Sequence, residues 1–169
     1  MRRATRTLFI LLSLLFIQGA VSAQAEDKAT PREVIQKVQE AAQFLSTAGE
    51  AGLAEFMDRG GRWVWKDTYV FVMRCDQMTV VAHPINPKLV GINHAGVKDV
   101  KGNYFMVQYC DAAKKLQGRW VELWYPKIGE RQPSRKLNYV LQVPNTPYQV
   151  GAGIYDDTIS LEELNRIIR

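Results

Sequence analysis

The 169-residue sequence predicts an α+β fold built on a mostly antiparallel sheet. Three observations carry that expectation. Val34, Ile35, Val38, Ala41, Ala42 and Leu45 recur at helical spacing near the amino terminus. From Trp63 the apolar pattern changes to runs rich in β-branched and aromatic residues, the signature of strands. Cys75-Asp76-Gln77 and Asn145-Thr146-Pro147 supply turns between such runs.

The elements follow in order. Residues 1–23, "MRRATRTLFILLSLLFIQGAVSA", have three arginines, an apolar stretch from Leu8 to Ile17 and the small residues Val21-Ser22-Ala23 before a cut. This is the layout of a secretory signal cleaved after Ala23, with Ala25 as a second site and an uncleaved anchor as the alternative. The apolar run is shorter than the roughly 20 residues that span a bilayer. A periplasmic or secreted mature chain, residues 24–169, is therefore expected to be one domain, with no output module of its own.

Thr30-Pro31-Arg32-Glu33 opens the first helix: Thr30 caps, Pro31 suits the first helical position, and Glu33 completes a capping box. "LAEFMDRG" reads as a short second helix ended by Gly60-Gly61. "WVWKDTYVFVM" and "MTVVAHP" read as two strands. Between Pro84 and Asn103 lies an irregular stretch with three glycines and three asparagines, too long for a hairpin loop and suited to binding. "YFMVQYCDAAKKL" reads as a helix. "GRWVELWYPK", "RKLNYVLQVP" and "YQVGAGIYD" supply three more strands, and Ser160 caps a short final helix.

Charge excludes one class of partner. The formal +5 comes from 22 Lys+Arg, and setting aside Arg2, Arg3 and Arg6 leaves 19 against 17 Asp+Glu. A mature net charge near +2 gives no electrostatic footprint for nucleic acid. An enzyme is not expected either. The serines sit in turn or cap contexts without a neighbouring base, and Cys75, His83, His94 and Cys110 fit no metal-ligand spacing. No phosphate loop or cofactor motif is present. For Cys75 and Cys110 two readings stand: a bridge, which an oxidising compartment permits, or two buried thiols acting as small apolar groups.

"KDTYVFVM", "VVAHP", "KLVG", "KDVKG", "GRWVELWYPKIG" and "RKLNYVLQVPNTPYQVGAGIYDD", in that order, resemble the single Cache family of extracellular PAS-like sensor domains. The resemblance covers about Thr30 to Asp157. It implies a five-stranded antiparallel sheet with a long N-terminal helix on one face, and on the other a pocket for small organic acids such as acetate, propionate or pyruvate. It also implies a membrane receptor or histidine kinase as partner. By the family pattern Val121, Leu123 and Tyr125 face the pocket, while Trp120 and Trp124 pack under the first helix, with Glu122 at an edge or paired with a base. Lys136, Tyr139 and His83 match a lysine, a tyrosine and a histidine of the family motif. They are expected to hold the carboxylate, Lys136 by charge and the other two by hydrogen bonds, beneath the Asn86–Asn103 loop. Leu123 stands where the family tends to carry tyrosine and cannot donate a hydrogen bond. The alternative function is accordingly a structural or interaction module that has lost its ligand.

Overall fold

The computed structural model describes residues 27–168, so the signal segment lies outside the described residues. Helix α1 (Pro31–Ala48) starts where its sequence dictates. The Thr30 hydroxyl accepts from the Glu33 N–H, and the Glu33 carboxylate accepts from the Thr30 N–H at 2.7 Å. Its apolar stripe, Val34 to Leu45, is buried. The expected second helix is a 3-10 segment, Gly49–Met57, that turns the chain back so that Phe56 stacks on Trp63 at 4.9 Å.

The expected strand from Trp63 to Met73 is broken. Lys66 adopts a left-handed φ of 48°, and the chain folds into a two-residue-wide hairpin, β1 (Val64–Trp65) with β2 (Thr68–Tyr69), before entering β3 (Phe71–Arg74). Strand β4 (Thr79–Ala82) follows, then the long loop, α2 (Phe105–Ala113), β5 (Arg119–Pro126), β6 (Pro133–Gln142), β7 (Tyr148–Tyr155) and α3 (Leu161–Arg166). The main sheet has five strands in the order β4-β3-β7-β6-β5, all antiparallel.

Strand alternation gives the sheet two different faces. Val72, Leu137, Tyr139, Val150 and Ala152 pack with α1, and Trp120 belongs to the same cluster. Tyr69, Phe71, Met73, Val121, Leu123 and Val140 pack with α2. Val121, Leu123 and Tyr125 thus face away from α1, as expected. Trp120 is on the expected face, in the helix-side cluster against Tyr139, but the helix beside it is α3. Trp124 does not pack under α1 either. Helix α1 lies over β6 and β7, whereas Trp124 sits on the outer strand β5, half-buried, with the Lys101 ammonium over its ring at 5.3 Å. The backbone N–H of Trp124 donates to Asp99 at 3.0 Å and that of Trp120 to the Asn165 side chain at 3.1 Å. Glu122 pairs with Arg135.

Cys75 and Cys110 form a disulfide across a Cα separation of 5.6 Å, tying the end of β3 to α2. Gly153 lets two strands meet closely: a Cβ there would lie 2.0 Å from the Asn138 side-chain oxygen and 2.3 Å from the Leu137 carbonyl. Because the carbonyl belongs to the β6–β7 ladder and cannot move aside, Gly153→Ala is expected to destabilise by about 1–3 kcal/mol, measured by urea denaturation.

Candidate functional site

The face opposite α1 is roofed by the loop between β4 and α2, leaving a cavity of about 410 Å3. The roof is held at both ends. Near its start the Asn86 N–H donates to His83 Nδ1 at 2.9 Å, and Val90 and Asn93 bridge back to Val80 and Thr79 of β4. Near its end the Asp99 carboxylate gathers the N–H groups of Lys101 and Asn103, the Asn103 amide and the Trp124 N–H, all at 2.9–3.0 Å. One short carboxylate thereby fastens the roof to β5.

Inside, β6 presents Lys136 and Asn138, two residues apart and so on one face. Lys136 is 2% exposed. Its ammonium donates to the Tyr69 hydroxyl at 3.2 Å and lies 4.4, 5.0 and 5.6 Å from the ring centres of Tyr69, Tyr155 and Tyr125. Among the described residues no carboxylate lies within ion-pair distance of it. Burial pushes the Lys136 pKa down to about 7, opposed only by the field of Asp67. His83 is buried too, with its ring 4.7 Å from that of Tyr69. Burial and the nearby Lys136 charge push its pKa down to about 3, so the imidazole is neutral. Since Nδ1 accepts from Asn86, the proton sits on Nε2. His83 therefore offers one N–H donor, not the two of an imidazolium.

Four of the five expected site residues meet at this cavity: His83, Leu123, Tyr125 and Lys136 line it. Tyr139 does not. It lies on the helix side of the sheet, fully buried, donating to the Gln117 carbonyl at 2.6 Å and packing on Trp120. The reason is parity: Tyr139 is three positions from Lys136 on one strand and must face the other way. Tyr69 is the tyrosine beside the ammonium. Its hydroxyl accepts from Lys136, and burial holds its pKa well above the usual tyrosine range, so its own proton is available to a further acceptor. Reasoning from sequence missed Tyr69, Tyr109 and Asn138. The Asn138 amide donates to the Tyr109 hydroxyl, while its oxygen is buried without a partner. Strand parity with Lys136 is the signal that points to Asn138; Tyr69 and Tyr109 reach the cavity from β2 and α2, which only the tertiary fold brings to it.

The sequence matches the family described as single Cache domain 2 over residues 17–166. Three solved structures are similar to it. One is the periplasmic sensor domain of a chemotaxis protein, with 24% identity, 73% of this chain and 88% of that one covered, and a TM-score of 0.58. A methyl-accepting chemotaxis protein from Vibrio parahaemolyticus shares 24% identity over 76% of this chain and 90% of its own, with a TM-score of 0.61. The third, a Cache chemosensory domain described for its recognition of carboxylic acids, shares 25% identity over 73% and 86%, with a TM-score of 0.56. The first two establish the fold alone.

Proposed function

Because the chain belongs to the single Cache domain 2 family, we propose that it is an exported sensor domain that binds a small organic acid by its carboxylate and passes its state to a membrane receptor or histidine kinase. The observation that carries the reading is Lys136, an ammonium buried at the floor of a cavity without a carboxylate partner among the described residues. A charge so placed is costly unless an anion joins it. In the proposed complex the acid's oxygens accept from Lys136, from the Tyr69 hydroxyl and from His83 Nε2–H, with Tyr125 as a wall beside the carbon chain. The chemosensory relative whose title names carboxylic acid recognition supports the same ligand class. No helix among the described residues is long and apolar enough to cross a membrane.

Titration calorimetry with carboxylates and their matching amides tests the reading, since only the acids are expected to bind. The pH dependence is a second check. Free Lys136 loses its proton above about 7, but a bound anion holds it charged, so the complex carries more protons than the free domain above that pH. The groups facing it are the tyrosines 69, 125 and 155 and the neutral His83, none of which changes charge between pH 6 and 9, and the Asp67 carboxylate acts on it from beyond ion-pair distance. Affinity is thus expected to be flat from pH 6 to 7 and then to fall by up to about tenfold per unit. An affinity that rises with pH would exclude Lys136 as the anion anchor.

A further inference from the structure

Resting on the carboxylate reading, we infer that the ligand is an aromatic monocarboxylate of about ten to twelve heavy atoms rather than a two- or three-carbon acid. The first ground is volume. The cavity measures about 410 Å3, and at about 30 Å3 per water-sized group it takes about a dozen such groups. An acid of two or three carbons fills less than half of that space. Its carboxylate would satisfy Lys136 and leave the rest of the pocket to water against an apolar lining.

The second ground is what lines the remainder. Leu123 and Met106 face the cavity from β5 and α2. At the mouth Ile92, Val97 and Val100 also line it, although they are 49%, 39% and 66% exposed. Apolar surface therefore runs from the anion corner to solvent, and a ligand with an extended apolar body covers it where a short acid does not.

Ring geometry favours an aromatic body over a flexible chain. Phe71, Tyr109 and Phe105 form a continuous wall, with successive ring centres 5.6 and 5.8 Å apart in tilted and edge-on contact. Such a wall accepts a further ring in the same arrangement, and a ring loses less conformational freedom on binding than an alkyl chain.

The buried charge inventory favours a single carboxylate in the interior of the cavity. Lys136 is the one buried ammonium among the described residues. The Lys98 ammonium at the mouth rests over the Tyr104 ring at 4.6 Å, and Asp99 is committed to the N–H groups that hold the roof. A second carboxylate inside the cavity would meet neutral Asn138 and Tyr109, and only one extended to the mouth would reach Lys98.

Calorimetry on the mature domain at pH 6.5 tests this with acetate, butyrate, hexanoate, 3-phenylpropionate, 3-phenylpropanamide and adipate. Affinity is expected to rise by up to about fourfold per methylene through the straight-chain acids. 3-Phenylpropionate is expected to bind tighter than hexanoate, at least about 30-fold tighter than acetate or its own amide, and about tenfold tighter than adipate; hexanoate binding as tightly as 3-phenylpropionate would overturn the aromatic body. If acetate binds as tightly as 3-phenylpropionate, the size inference is overturned while the carboxylate reading stands. If the amide matches the acid, or no acid binds, both are overturned.

Discussion

Lys136→Met is expected to abolish acid binding and leave a folded domain. Methionine keeps most of the unbranched stem and removes only the charged head. Losing one side of a buried ion pair costs about 2–5 kcal/mol, so affinity should drop at least about 30-fold. Stability should move the other way, because an ammonium buried beside three tyrosine rings is a liability until an anion arrives. With a folded pKa of about 7 against 10.5 for an ordinary lysine, the neutral amine is the form the fold prefers. Between those values the unfolded chain binds more protons, so wild-type stability rises with pH. Below about 7 both states are protonated and the penalty is complete. The ligand-free variant should therefore exceed the wild type most at pH 6, and the difference should shrink as pH approaches 10.5. Denaturant titrations at pH 6 and 9, paired with calorimetry, separate the two effects. Unchanged affinity in the folded variant would remove Lys136 from the site.

Replacing both Cys75 and Cys110 with alanine should produce the largest loss of stability. The bridge spans 35 positions, and closing a loop of that length in the unfolded chain is worth about 4 kcal/mol on the chain-entropy account. The consequence reaches the pocket, since Cys110 lies in the helix that carries Met106 and Tyr109 into the cavity wall. Weaker ligand binding should accompany the lower denaturation midpoint, and reductant should reproduce both in the wild-type protein. A midpoint unmoved by reductant, with two thiols then titrating in the unfolded chain, would show the bridge to be energetically idle.

Much of this fold could be read from the chain because its information is local. The Thr30–Glu33 capping box, the stripe on α1 and the pattern of Trp120 to Tyr125 each depend on neighbours a few positions away. What was missed depends on distance or parity. Whether Cys75 meets Cys110 turns on where α2 lands on the sheet, which no spacing encodes. Trp124 has the right parity for the helix side, but it lies on a strand that α1 does not cover, so a loop carboxylate and Lys101 surround it instead. Tyr139 is the instructive failure. Its match to a family motif suggested a ligand contact, yet counting three positions from Lys136 already excludes it, and physical parity outweighs motif likeness. Tyr69 lies 67 positions from Lys136 and was legible only once β2 and β6 were brought together.

The outermost strand β5 ends the sheet, and an end strand ordinarily displays a row of unused N–H groups to which a neighbouring molecule can add its own strand. Here the outward positions are Trp120, Glu122, Trp124 and Pro126. Asn165 takes the first N–H, Asp99 takes the third, and proline has none to give. Among the described residues Glu122 alone keeps an unpaired N–H on that side. The contacts that fasten the roof and seat the last helix thus also blunt the rim, leaving a second copy few donors with which to pair along β5.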